Sequence, residues 1–420
     1  MIRRVALVAA VLLAAAAAGT VPAAAAPLPC RNPPGGGTPL PATAPRDPTI
    51  ARLGLERAWE LSTGAGVTVA VVDSGVDGNQ PKLRPALVPG YDFVTTQAPP
   101  GYQRVPGGVG DCGDNGGSHG TPIASLIAAR RGADDRVVGV AFDARIAPVR
   151  FVDGIDNASA EMIGAAIRTG ADLGQVLNLS FALPLDRPPI RDAIRYAVAR
   201  NVVVVAAAGN ESSTPNEKWY PAAYPGVLAV AALKPDGTPL QESNRGPWVR
   251  IAAPGDGLTA LAAVSGYLGP KGTSFATALV SGVAALVRAR FPRMPAAQVI
   301  QRLVGTAVPL GAARDDRVGA GIVDPFAALT AQTVAGGATS SPAAAGAVTV
   351  QPRPAAPATI ADRWGRLLGW AGVLGLAAVL AYLGRLAVRA AIRRRWRPGG
   401  DRRPEPAEER ALEPPDVRLV

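Results

Sequence analysis

Residues 67–72, Val-Thr-Val-Ala-Val-Val, form a short run that is β-branched and almost wholly apolar. A strand covered on both faces of a parallel sheet has this composition, because neither face turns toward water. Comparable runs recur at 144–151, 176–180, 202–208, 228–232 and 248–252. Between them, 158–170 and 190–200 read as helices, and further helical stretches lie at 54–59 and 276–286. Strands alternating with helices predict an α/β fold with a doubly wound, mainly parallel sheet over residues 51–330.

The two ends of the chain break this alternation. Arg3 and Arg4 precede an apolar run and then small residues through Ala26, which predicts a secretory signal peptide over 1–26. An uncleaved membrane anchor is the other reading of that pattern. Residues 27–50 are rich in Pro and Gly and read as an extended arm, too short for a folded pro-domain. Residues 331–360 have the Ala/Pro/Gly/Thr/Ser composition of a linker, semi-rigid because of its prolines. No charge falls between Arg366 and Arg385. Eighteen helical residues span roughly 27 Å, enough for a bilayer core. One C-terminal transmembrane helix is therefore expected within 361–384; a buried core helix is the alternative, but no folded domain surrounds the segment. Six arginines follow within 385–397. The positive-inside rule then makes 385–420 a basic cytoplasmic tail and places the body, 51–330, outside the cell membrane on a single-pass anchor.

The net charge of +11 raises the question of a nucleic-acid partner, and its distribution answers it. The basic clusters lie beside the two apolar end segments, and no aromatic-interleaved basic face or nucleic-acid motif accompanies them. A single His and two Cys exclude zinc-finger spacing and the His-Glu-x-x-His metalloprotease pattern. No metal and no cofactor are expected. Cys30 lies in the arm and Cys112 in the long polar loop 95–118. In an exported chain they form one internal disulfide or remain two free thiols.

Candidate chemistry gathers where predicted strands end and helices begin. Asp73 closes the first strand, and in open α/β sheets sites collect at the carboxyl ends of strands; a carboxylate there is also a common turn residue. The sole His, His119, stands at the start of an apolar helix after a glycine-bearing loop. Asn210 ends the strand at 202–208. Ser274 opens the helix at 276–286, where helix N–H groups and dipole favour developing negative charge, although Ser is also a frequent N-cap. Asp, His and Ser together form a nucleophilic triad: the imidazole takes the hydroxyl proton, and the carboxylate fixes its tautomer. The chain order Asp…His…Ser is one of three orders found in unrelated proteases. Asn210 offers an amide donor that could join the Ser274 N–H in an oxyanion hole.

The stretches Val69–Val76, Ser118-His119-Gly120-Thr121, Ala207-Ala208-Gly209-Asn210, Ala253-Pro254-Gly255 and Gly272-Thr273-Ser274-Phe275-Ala276 occur in an order that resembles the subtilisin-like serine proteases, the subtilases, over about residues 51–330. The resemblance implies a subtilisin-like fold and serine endopeptidase activity on polypeptide substrates. It assigns Asp73, His119 and Ser274 to the triad and Asn210 to the oxyanion hole. It makes Ser180-Phe181-Ala182 the strand that pairs with substrate. The arrangement of signal peptide, Cys-bearing arm, Pro-rich stalk and single helix is similar to the mycosins, membrane-anchored proteases of type VII secretion systems. That likeness implies either processing of secreted substrates or a structural place in the membrane secretion complex. Two positions depart from the family pattern: Ala278 stands where Pro is usual, and Ala182 where many members have Gly.

Overall fold

The computed structural model describes residues 35–41, 43–94, 105–107, 110–112, 117–152, 158–212, 217–311, 314–332 and 418–419. The helices are α1 (Thr49–Arg52), α2 (Leu55–Trp59), α3 (Gly120–Ala128), α4 (Ala160–Leu173), α5 (Pro188–Ala199), α6 (Thr273–Arg290), α7 (Ala296–Gly305) and α8 (Pro325–Thr330). The strands are β1 (Thr68–Asp73), β2 (Gly90–Asp92), β3 (Val105–Gly107), β4 (Arg145–Arg150), β5 (Val176–Leu179), β6 (Phe181–Ala182), β7 (Val203–Ala207), β8 (Val227–Leu233), β9 (Ile251–Pro254), β10 (Ala260–Leu261), β11 (Tyr267–Leu268) and β12 (Arg418–Leu419).

The main sheet has the order β3-β2-β4-β1-β5-β7-β8-β9. All neighbours are parallel except the edge pair β2–β3. The β-branched runs sit in it as their composition requires. Val69 and Val71 face a core built with α3 and α6, and Ala70 and Val72 face a second core built with α4 and α5. Strand β1 lies between β4 and β5, where the order of chain progression reverses. Its carboxyl end is the crevice in which open α/β sheets place their sites.

Several boundaries differ from the sequence pattern for local reasons. The strand expected over 248–252 runs instead over Ile251–Pro254, because the Val249 N–H closes a turn onto the Gly246 carbonyl. The run at 176–180 ends at Leu179, and β6 resumes after Ser180. Helix α6 is longer than 276–286 at both ends. At its C-terminal end the Arg288 guanidinium donates to the carbonyls of Met294 and Asn201.

The described part of the arm lies along the body. Thr38 exchanges backbone hydrogen bonds with Tyr267 of β11, and Arg136 donates to the Leu40 and Pro41 carbonyls. Asp47 accepts from the N–H groups of Thr49 and Thr259, so α1 begins inside the stretch expected to be arm. Among the described residues, no helix is long and apolar enough to cross a membrane. The expected signal peptide 1–26, the linker 331–360 beyond residue 332, and the expected membrane helix 361–384 lie outside the described residues. Of the tail, Arg418–Leu419 is described, paired antiparallel with Phe181–Ala182.

Helix α6 is buried along nearly its whole length and packs so closely on the turn that precedes β4 that its middle requires a glycine. A Cβ on Gly282 would sit 2.6 Å from the Val140 Cβ. Gly282→Ala should therefore destabilise the chain by about 1–3 kcal/mol, as overpacked cores do. Urea denaturation of the purified chain checks this; a midpoint equal to wild type would show that the contact relaxes without cost.

Candidate active site

Strand β1 delivers Asp73, fully buried, to the carboxyl edge of the sheet. Its Oδ1 accepts from the Ser74 N–H at 2.7 Å and lies 2.8 Å from His119 Nδ1. A carboxylate held on Nδ1 sets the imidazole tautomer that leaves Nε2 as the basic nitrogen. Asp73 Oδ2 is buried with no hydrogen-bond partner among the described residues.

His119 occupies the N-cap position of α3 without capping it. The turn that presents it requires glycine: a Cβ on Gly120 would lie 2.0 Å from the Gly75 carbonyl oxygen. Only backbone can pass there, and this close pass brings the start of α3 against the end of β1. The imidazole faces the Phe275 ring, with centroids 5.5 Å apart, so it lies beside the first turn of α6.

Ser274 is the second residue of α6, whose N-cap is Gly272. The capping alternative left open by the sequence is thereby removed. The fully buried Ser274 hydroxyl instead donates to the Ser180 carbonyl at 3.1 Å. The Ser274 N–H belongs to the opening turn of the helix, where N–H groups have no intrahelical acceptor.

Asn210 follows β7, and its Oδ1 accepts from both the N–H and the hydroxyl of Thr273 at 3.0 Å. That double contact turns the amide so that Nδ2 is the end free of the Thr273 contacts. Ser180 lies directly beside Ser274, and Phe181 and Ala182 follow it as β6. The edge at Phe181–Ala182 accepts an extended segment as an antiparallel partner, here Arg418–Leu419. The structure thus brings Asp73 and His119 together and sets Ser274, Asn210 and 180–182 around one helix start.

Cys112 is buried and disulfide-bonded, and its N–H donates to the Ser74 carbonyl at 2.9 Å. Cys30, the other member of the expected pair, lies outside the described residues.

Three supporting residues escaped the sequence reading. Asn178 donates to the Ser180 hydroxyl at 2.9 Å and accepts from the Ser281 hydroxyl at 2.9 Å, tying β5 to α6 through a buried polar chain. Asn244 donates to the Ala208 carbonyl at 3.0 Å and accepts from the Glu211 N–H at 2.8 Å, which clamps the loop carrying Asn210. Asp111 accepts from the Thr121 N–H at 2.8 Å and lies 2.7 Å from the Ser74 hydroxyl. Burial pushes the Asp111 carboxyl above the ordinary carboxylate range against the hydrogen bonds from Ser74 and Thr121, and the nearby Asp73 carboxylate adds to the rise. For Asn178 the available signal was a polar residue inside an apolar strand; Asn244 and Asp111 stand in loops and carry no local mark.

The family model described as Subtilase family matches residues 64–321. Mycosin-1 of Mycobacterium tuberculosis is 38% identical over 351 residues, covering 70% of this chain and 75% of that protein. The solved structure of the serine protease MycP1, described as an essential component of the type VII (ESX-1) secretion system, superposes with a TM-score of 0.63 at 35% identity, covering 73% of this chain and 94% of that one. A chain of the periplasmic assembly from the ESX-5 inner membrane complex also superposes, with a TM-score of 0.63 at 31% identity over 79% of this chain and 95% of that one.

Asn244→Ala would remove the hydrogen bonds that Asn244 makes to the buried Ala208 carbonyl and to the part-buried Glu211 N–H. Stability should fall by about 1–3 kcal/mol. Chemical denaturation measures it, and a loss below a few tenths of a kcal/mol would mean that Asn244 does not hold this loop.

Proposed function

This chain belongs to the subtilase family of serine proteases, and on that premise we propose that it hydrolyses peptide bonds outside the cytoplasm with Asp73, His119 and Ser274 as its triad. The observation that carries the reading is the 2.8 Å contact between His119 Nδ1 and the buried Asp73 carboxylate, beside a serine at a helix start. Rotation of the Ser274 side chain away from the Ser180 carbonyl frees Oγ to meet the imidazole. His119 Nε2 takes the hydroxyl proton as Oγ bonds to the substrate carbonyl carbon. The oxyanion accepts from the Ser274 N–H and Asn210 Nδ2. The peptide C–N bond then breaks, and the imidazolium returns its proton to the leaving amine. Water, deprotonated by His119, releases the acyl group and restores the serine. Ser180-Phe181-Ala182 pairs with the substrate backbone as an added antiparallel strand.

We further propose an export-linked setting: a signal peptide over 1–26, a membrane helix within 361–384, and a cytoplasmic tail from 385 to 420. A Cys30–Cys112 bridge ties the arm to the loop beside the site. In that topology Arg418–Leu419 lies across the bilayer from β6 and leaves the edge open to substrate, because one chain cannot satisfy both arrangements. The likeness to a chain of the ESX-5 periplasmic assembly favours a second role beside proteolysis, as a structural part of a type VII secretion membrane complex. The partners are then a polypeptide substrate, the membrane and that complex.

Ser274→Ala and His119→Ala should each lower kcat by roughly 10⁶, with the double variant little worse, since the two act as one unit. Asn210→Ala should cost about 10²–10³ in kcat. Peptide hydrolysis by the purified chain measures all four variants, and near wild-type turnover by Ser274→Ala would reject the triad. In cells, a Ser274→Ala chain that stops substrate processing but sustains secretion would establish the structural role as separable. Loss of both would tie that role to catalysis.

A tag at residue 335 should be digested from outside intact spheroplasts, while a C-terminal tag should be protected. Digestion of the C-terminal tag would overturn the topology. Non-reducing mass spectrometry of the same material should yield linked Cys30 and Cys112 peptides, and two free thiols would remove the bridge.

A further inference from the structure

The triad uses one buried carboxyl, yet a second stands one side chain away. Ser74 Oγ lies 3.1 Å from Asp73 Oδ1 and 2.7 Å from Asp111 Oδ1, while accepting the Gly120 N–H at 3.0 Å. Asp73, Ser74 and Asp111 are all buried, and the Cys112 N–H pins the Asp111–Cys112 segment to the Ser74 carbonyl. A hydroxyl carries a single proton. Between two ionised carboxylates it could donate to only one, leaving the other short oxygen–oxygen contact without a hydrogen. Two such charges excluded from water also repel, and one of them takes up a proton.

The surroundings decide which. Asp73 faces the His119 ring nitrogen, where a carboxylate is required to accept. Asp111 Oδ2 accepts from the Thr121 N–H at 2.8 Å, whereas Oδ1, the oxygen facing Ser74, meets the His119 N–H at the longer distance of 3.4 Å and can carry a proton while keeping a lone pair for that contact. Among the described residues, the charged and titratable groups around Asp111 include Asp73 on β1, His119 before α3, Arg150 on β4 against Cys112, and Asp77, whose N–H donates to the Thr121 hydroxyl. The guanidinium of Arg150 is paired with Asp92 and meets the segment at Cys112. Burial holds the Asp111 carboxyl above its ordinary range.

We propose that Asp111 is a positioning residue: its protonated carboxyl donates to the Ser74 hydroxyl, which donates to Asp73 Oδ1, and this chain fixes the carboxylate that orients His119. The loop 110–112 then sets the geometry of the triad without touching substrate. The catalytic consequence rests on the triad assignment, whereas the ordering of the imidazole is measurable without turnover.

The full chain in detergent, labelled with ¹⁵N-histidine, gives one imidazole to observe, because His119 is the only His in the chain. Its Nδ1–H signal should be lost or displaced in both Asp111→Ala and Ser74→Ala, and the double variant should change it no further. Asp111→Asn should recover most of that loss, since its amide donates to Ser74 and accepts from Thr121 as the protonated acid does. Turnover should follow the same order: Asp111→Ala falls roughly 10–100-fold in kcat with KM little changed, and Asn rescues it. The acid limb of the pH–rate profile should stay in place in Asp111→Asn, because no charge has been removed. An Asp111→Asn limb shifted to lower pH, with an imidazole signal as altered as that of Asp111→Ala, would reveal an ionised Asp111 and overturn the proposal. An Asp111→Ala signal identical to wild type would overturn it too. If Asp111→Ala fails to fold, Ser74→Ala and Asp111→Asn carry the same contrast. A wild-type chain that orders its imidazole through Asp111 yet cleaves no peptide would reject the protease reading while supporting this one.

Discussion

A carboxylate placed at the end of a strand with both faces covered needs fixed donors, and much of this molecule is arranged to supply them. Asp73 is withdrawn from water, so its charge is met by the Ser74 N–H and the His119 ring. An ionised group without such contacts would cost several kcal/mol or would neutralise. The start of α3 must therefore reach the end of β1. Gly120 permits that approach at a distance no side chain could share with the Gly75 carbonyl. The loop at 110–112 closes over the same point through Ser74.

A second set of contacts holds the start of α6 in register with the sheet. Ser281, Asn178 and Ser180 form a buried hydrogen-bonded chain that ends at the backbone of Ser274. On its other side, Thr273 bonds to Asn210 and accepts the Gly209 N–H. Polar chains of this kind are costly when half satisfied and rigid when complete. Their completeness here keeps a serine, an amide and an edge strand within one small volume. The same helix is anchored elsewhere by apolar packing so tight that Gly282 has no room for a methyl group.

The parallel sheet was legible in the chain because apolar β-branched runs such as 67–72 and 202–208 cannot be covered any other way. Asp73, His119, Asn210 and Ser274 stood out because each sits where a strand gives way to a loop or a loop to a helix. The precise ends were less legible. The turn at Gly246 delayed β9 to Ile251, and α6 began at Thr273 ahead of its apolar run, since hydrogen bonds rather than hydrophobicity set those limits.

Residue types and their order along the chain determined the layered α/β class and the inventory for nucleophilic chemistry, because both depend on local composition and on which side chains exist at all. With a single His, the identity of any imidazole base was settled without coordinates. Tertiary structure alone decided the pairing of that His with Asp73, the release of Ser274 from a capping role, and the supporting places of Asn178, Asn244 and Asp111. These contacts join residues far apart in sequence. Asp111 reaches Ser74 across 37 positions and Ser281 reaches Asn178 across 103. No local pattern encodes such meetings; they follow from the order in which the strands line up beside β1.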